Sequence, residues 1–165
     1  MKRKITLFIA AAALSGAALV AAVLGDTSSA SSQQPSKGAL VALGKTTLGN
    51  VLVDARGRTL YLFAKDKRGR SACYGACATY WPPLVSSAKP RAARGVRASL
   101  LGVTKRTNGK RQVTYAGHPL YTFVLDKRAG QTSGQGLTDF GGSWGAVAAS
   151  GRAVKSTGSD GGYGG

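Results

Sequence analysis

Hydrophobic positions follow two different regimes along the chain. After Lys2-Arg3-Lys4, Ile5 to Gly25 form an apolar run of 21 residues, rich in Ala, Leu and Val and interrupted only by Thr6, Ser15 and Gly16. From about residue 38, apolar and aromatic residues instead alternate with polar ones in short stretches broken by Gly and Ser, the period of half-buried strands. Strands are predicted on both sides of Gly57 and of Gly117, and at Ala39 to Leu43, Val96 to Thr104 and Ala146 to Ala149. A helical turn is confined to Ala72 to Tyr80, where Ala is frequent and Pro82-Pro83 stop it just after Trp81. The pattern predicts an all-β domain with a minor helical turn.

The strand blocks repeat. Shifting the chain by 60 residues lays VLVDARGRTLYLFAKDKRGR (51 to 70) on RQVTYAGHPLYTFVLDKRAG (111 to 130) without a gap, with eight of 20 pairs identical. These include Tyr61/Tyr121, Phe63/Phe123 and Asp66/Asp126, and Trp81 and Trp144 follow the two blocks. Each block reads as strand, Gly turn, strand, and residues two apart share a strand face, so Tyr61 with Phe63 and Tyr121 with Phe123 give each copy one aromatic face. A single hairpin is marginal in water; two that bury such faces against each other gain about 2 kcal/mol per aromatic by area. The expected domain is one compact unit of two duplicated antiparallel hairpins, packed as a small sandwich or barrel. It spans residues 38 to 152, with repeat one at about 48 to 85 and repeat two at about 108 to 149.

The ends have other jobs. The cationic start and apolar run, residues 1 to 25, form an export leader, either cleaved as a signal peptide or retained as an anchor, since 21 apolar residues are also enough to span a bilayer. Residues 26 to 37 (DTSSASSQQPSK) are a polar linker, and residues 153 to 165 are a Gly-rich tail. Net charge is +17, and removing the leader's three basic residues leaves +14. Outside the cytoplasm the counterparts of such charge are anionic envelope polymers or lipid surfaces, bound in a salt-dependent way. Nucleic acid is not expected as a partner of an exported chain, and solubility alone is an alternative reason for the charge. Contact with a membrane is expected only through an uncleaved leader. The cations placed for anion binding are Lys65, Lys67, Arg68, Arg70, Lys127 and Arg128, with Arg91, Arg94 and Arg97 beside them.

Candidate chemistry is sparse. Asp66 and Asp126 each precede Lys-Arg and a Gly within a turn, which suggests carboxylates that accept turn amides and are neutralised by the adjacent cations. Cys73 and Cys77 are the only cysteines, and in an oxidising compartment they form one disulfide worth about 2 kcal/mol on the chain-entropy model. His118, the only histidine, falls in the second turn, so His and Cys do not suffice for a zinc or copper site, and no metal or cofactor is expected. Gly141-Gly142-Ser143-Trp144-Gly145 fits the nucleophile-elbow pattern but precedes a short strand rather than a helix, and Trp144 anchoring that strand explains it better. Gly44-Lys45-Thr46 lacks the upstream Gly of a phosphate loop. No catalytic constellation emerges.

The stretches SACYGACATYWPPL (71 to 84), YAGHPLY (115 to 121), the two YxFxxD blocks and GQGLTDFGGSW (134 to 144) resemble a bacterial family of secreted repeats of unknown function. Its members are described as predicted lipoproteins with a Yx(FWY)xxD motif. The resemblance spans about residues 48 to 149 and implies export and a paired-repeat architecture, but no established reaction. This chain departs from the lipoprotein members in having no cysteine before Cys73. Two functions fit: a non-catalytic basic binding or structural module of the cell envelope, or an extracytoplasmic redox or electron-transfer accessory that uses the Cys pair or a bound metal or haem.

Overall fold

The computed structural model describes residues 38–67 and 69–155. The expected leader and linker (residues 1 to 37), Arg68 and residues 156 to 165 of the expected tail lie outside the described residues. The chain forms β1 (Leu40–Thr46), β2 (Gly49–Val53), β3 (Tyr61–Phe63), α1 (Ala76–Tyr80), β4 (Arg91–Ala92), a 3-10 turn (Ala98–Leu100), β5 (Leu101–Lys105), β6 (Arg111–Tyr115), β7 (His118–Pro119), β8 (Thr138–Asp139) and β9 (Gly142–Ala146). Three small sheets result, ordered β2-β1-β4, β3-β9-β8 and β5-β6-β7, and they do not close into a barrel. The fold is all-β with a single short helix among the described residues.

Each repeat begins one strand earlier than the aromatic motif suggests. β1 pairs antiparallel with β2, setting Leu43 opposite Leu52, and β5 pairs with β6 in the same way, setting Val103 opposite Val113. The strand expected from Val96 to Thr104 begins only at Leu101, because the 3-10 turn takes up Ala98–Leu100. The fold also runs past the expected tail boundary at 153, because Ala153 bridges Val147 and the Val154 amide donates to the Ala146 carbonyl at 2.7 Å.

The two turns differ by one residue. Ala116 and Gly117, with φ of 49° and 81°, make a two-residue turn in which both centres are left-handed. In repeat one only Gly57 is left-handed, at φ 76°; its amide donates to the Asp54 carbonyl and the Asp54 amide donates to Arg58, closing a three-residue loop. The extra residue slides the preceding strand. The Leu60 amide donates to Leu52, whereas the Leu120 amide donates to Val113, both at 2.9 Å. Leu52 and Val113 are therefore structural equivalents, and the ungapped match of Val53 with Val113 is a coincidence of sequence.

Each repeat holds antiparallel hairpin pairing of its own, as expected, and the two copies also exchange segments. Beyond each Trp, the chain crosses to the other copy. β9, carrying Trp144, pairs with β3 and sets Trp144 opposite Phe63. The segment after Trp81 pairs with repeat two, with bridges Pro83 to Tyr121 and Val85 to Gln112. The bonds match in kind: Val147 donates to Leu60 and Leu52 to Val147, while Leu84 donates to Leu120 and Val113 to Leu84. At the centre Tyr61 and Tyr121 exchange both backbone bonds, at 2.8 and 3.0 Å, so the copies are related by an approximate two-fold axis.

Alternation along these strands buries both faces. One core is aromatic: Tyr61, Phe63, Trp81, Tyr121, Phe123 and Trp144 with Val51, Val53 and the half-cystines. The other is mainly aliphatic, with Val41, Leu52, Leu60, Val113, Leu120 and Val147 around Tyr115. In the aromatic core the two indoles stack with centroids 3.8 Å apart and planes 3° from parallel. Trp81 also stacks on Phe123 and Trp144 on Phe63, each pair joining opposite repeats. Tyr61 meets Trp81 and Tyr121 meets Trp144 edge to face. Such stacked and T-shaped contacts each add about 0.5–1.5 kcal/mol beyond area burial.

Candidate functional site

The repeated Tyr and Asp form two crossed pairs. Tyr61 Oη donates to Asp126 Oδ2 at 2.6 Å, and Tyr121 Oη donates to Asp66 Oδ2 at 2.8 Å, so each phenol serves the carboxylate of the other repeat. The remaining oxygens accept backbone amides, Asp66 from Ala72 and Asp126 from Ser133. Amide acceptance is the role expected of the two carboxylates, but the expected neutralisation by neighbouring cations is corrected: among the described residues neither lies within ion-pair distance of a Lys or Arg. Burial holds the Asp66 carboxyl above the usual carboxylate range, opposed by the Ala72 amide, the Tyr121 hydroxyl and the charges of Arg106 and His118. Burial, reinforced by the facing carboxylates, pushes both phenols well above their ordinary value.

The disulfide is present, joining Cys73 to Cys77 with Cα atoms 5.2 Å apart. Cys73 precedes α1 instead of lying within it, and both half-cystines are buried. His118 is exposed, at the edge of a cleft of about 370 Å³ with Asp66, Gly69 and Pro119. Ser143 is exposed on β9, following a turn with Phe140 and Gly141 left-handed, and Trp144 is buried beside it. Among the described residues no three His, Cys, Asp or Glu side chains are grouped to hold a metal ion.

Of the cations singled out by sequence, Lys65, Lys67, Arg70, Lys127 and Arg128 are exposed, and Arg68 lies outside the described residues. Lys65 Nζ reaches the Phe140 carbonyl at 3.3 Å. Lys127 lines a cleft of about 270 Å³ with Arg56 and Arg58, next to the buried Asp126. Arg70 lines a different cleft of about 490 Å³, with Tyr74, Lys105 and Arg106. Arg91, Arg94 and Arg97 are exposed and line neither cleft.

Sequence reasoning passes over Arg106. Only 3% of it is exposed, yet it contacts no carboxylate. Nη1 donates to Ser71 Oγ at 2.8 Å and to Gln112 Oε1 at 2.5 Å, Nη2 donates to the Cys73 carbonyl at 2.6 Å, and the Tyr74 ring covers the guanidinium at 4.3 Å. Nε is buried without an acceptor. Ser71 Oγ also takes part in a 2.9 Å hydrogen bond with Tyr121 Oη, so Arg106 joins the same network as the Asp66 and Tyr121 pair. No local signal in the sequence marks this arginine among its basic neighbours.

A family model described as a secreted repeat of unknown function matches the chain twice, over residues 42–85 and 102–148. Each match takes in the first strand of its repeat, most of β1 and all but one residue of β5. No curated protein and no solved structure matches the chain.

Proposed function

We propose, for a chain that belongs to the family of secreted repeats of unknown function, that the domain is a non-catalytic cationic module that attaches to anionic polymer or lipid at the cell envelope. The family's description as secreted puts the chain outside the cytoplasm. The observation that carries the proposal is where the carboxylates go. Asp54 accepts the Arg56 and Arg58 amides and pairs with the Arg58 guanidinium at 2.7 Å, while Asp66 and Asp126 are taken up by the tyrosines. Among the described residues, Lys and Arg side chains therefore stand on the surface with little acid beside them beyond the half-buried Asp139, and their field adds up over a Debye length of about 8 Å at physiological salt.

Burial of both half-cystines supports a structural bond over one that exchanges, because thiol attack needs access to sulfur. Binding of the secreted protein to anionic glycopolymer and to anionic vesicles across a salt series tests the reading. Affinity that falls steeply with added salt is expected; affinity that is absent, or unchanged by salt, rejects it.

A further inference from the structure

We propose that the cleft between the disulfide loop and the β5–β6 hairpin is a subsite for the phosphate groups of a phosphodiester-linked polyol or sugar polymer. This rests on the cationic-module reading and narrows it to one place and one anion chemistry. Arg106 forms the buried floor, and Arg70 and Lys105 flank it.

The two-fold relation separates scaffold from chemistry. Tyr61/Tyr121, Phe63/Phe123, Asp66/Asp126 and Trp81/Trp144 occur twice and satisfy one another across the axis, as parts that hold the fold together. The Arg106 cluster occurs once. With Leu52 equivalent to Val113, strand register puts Thr46 at the place of Arg106 and Val51 at the place of Gln112. Repeat one builds the same strand pair with a small and an apolar side chain, so the scaffold does not require a guanidinium there.

The charge is also incompletely met. Burying a cation is costly unless it is paired, and every acceptor of Arg106 is neutral. Three of the five N–H groups of a guanidinium are used, leaving Nε–H and one on Nη2. Asp66 acts only from beyond Ser71 and Tyr121, and burial drives it toward its neutral form. An anion in the cleft supplies the missing charge. Arg70, Lys105 and the hydroxyls of Thr104 and Thr107 offer donors around it, and no carboxylate lines the space. Cations and hydroxyls on several sides suit a tetrahedral phosphate with its several acceptor oxygens, and Arg and Lys are the usual phosphate ligands. Tyr74, 37% exposed, presents the remaining ring surface to the apolar edge of a polyol or sugar.

The test titrates the secreted protein with a synthetic glycerol-phosphate oligomer, following affinity by calorimetry and the Arg106 Nε–H signal by NMR. Arg70→Gln/Lys105→Gln should weaken binding at least about tenfold, since each charge-assisted contact carries that much. Lys89→Gln/Arg152→Gln, which removes the same charge from exposed sites outside the cleft, should change it less than about twofold, and the Nε–H signal should move to saturation in step with binding. Equal weakening by both pairs, or an unmoved Nε–H signal, overturns the subsite while leaving salt-sensitive attachment intact. Absence of binding to any polyanion removes both readings. Inorganic phosphate should compete only weakly; tighter binding to phosphatidylglycerol vesicles than to the oligomer, with the same dependence on Arg70 and Lys105, overturns the polymer assignment in favour of a lipid.

Discussion

Tyr61 and Tyr121 face each other across the axis of the molecule, exchanging both backbone hydrogen bonds while each phenol reaches the carboxylate that follows the other. The spacing from Tyr to Asp in the repeated motif is thereby explained. Five residues carry the chain from the axis, through Phe63 in the aromatic core, into a turn closed by the Asp66 amide on the Phe63 carbonyl. The Asp side chain then returns to the partner's phenol. The motif is a cross-clasp between copies, and it works only when duplicated.

Removing one phenol should therefore strand a buried carboxylate. Tyr61→Phe leaves Asp126, 2% exposed, with only the Ser133 amide, and should destabilise by about 2 kcal/mol, the range for hydrogen bonds to charged groups. Tyr121→Phe should cost somewhat less, because Asp66 is less buried and its burial already favours the neutral acid. Urea denaturation of the two variants measures both; a Tyr61→Phe cost below about 0.5 kcal/mol rejects the clasp.

Because the segments after Trp81 and Trp144 cross to opposite copies, each half keeps one sheet, β2-β1-β4 or β5-β6-β7, but loses the strands that complete its core. A chain divided between Arg94 and Gly95 should give two fragments that are each unfolded alone and that regain the near-UV signal of the stacked indoles when mixed. Circular dichroism of the separate and mixed fragments is the check. Independent folding of either fragment contradicts the exchanged pairing.

Alternation around Gly57 and Gly117 was enough to reveal strands, the duplication and the aromatic residues that the core uses, since burial of a strand face leaves a period of two in the sequence. The crossing was not legible, because a Trp strand pairs equally well with either copy as far as local pattern goes. The one-residue slip at Gly57 was hidden by an ungapped match that looked sufficient. Arg106 was hidden for a different reason: its burial depends on Ser71 and Cys73, which are distant in sequence, as well as on Gln112 across the hairpin, and an arginine among basic neighbours reads as surface. The short parallel pairing of β4 with β1 likewise leaves only Arg91 and Ala92 as its trace.

The disulfide closes a loop of only a few residues, so loss of the bond should cost about 2 kcal/mol on the chain-entropy model. Cys73→Ala/Cys77→Ala is expected to stay folded at neutral pH with a lowered urea midpoint. The Cys73 carbonyl holds Arg106, so the variant should also loosen the guanidinium, seen as faster exchange of its N–H protons. Unchanged exchange would show that the Arg106 site is set by Gln112 and Ser71 alone.

Asp66 gives the acid side of the pH profile its sign. Its folded carboxyl titrates above the ordinary 3.8, so the folded state holds the proton more tightly than the unfolded state. Its stabilising contribution is complete below that value and is lost as pH rises through the folded titration. The stability of the native chain relative to Asp66→Asn should therefore decline from pH 3.5 upward in paired urea titrations. A relative rise over that window contradicts burial as the dominant cause.

The alkaline side is set by the two clasped phenols. Both titrate above their ordinary 10.0 because burial and the facing carboxylates disfavour phenolate. A raised folded value means stability that is intact below pH 10 and is lost as pH climbs beyond it, where the unfolded chain releases phenolic protons that the folded chain retains. Tyr61 and Tyr121 should ionise only together with unfolding, in one cooperative step. Phenolate absorbance followed alongside far-UV circular dichroism shows whether ionisation and unfolding coincide. In Tyr61→Phe/Tyr121→Phe the phenolate step that accompanies unfolding should vanish, and its retention would assign it to another tyrosine.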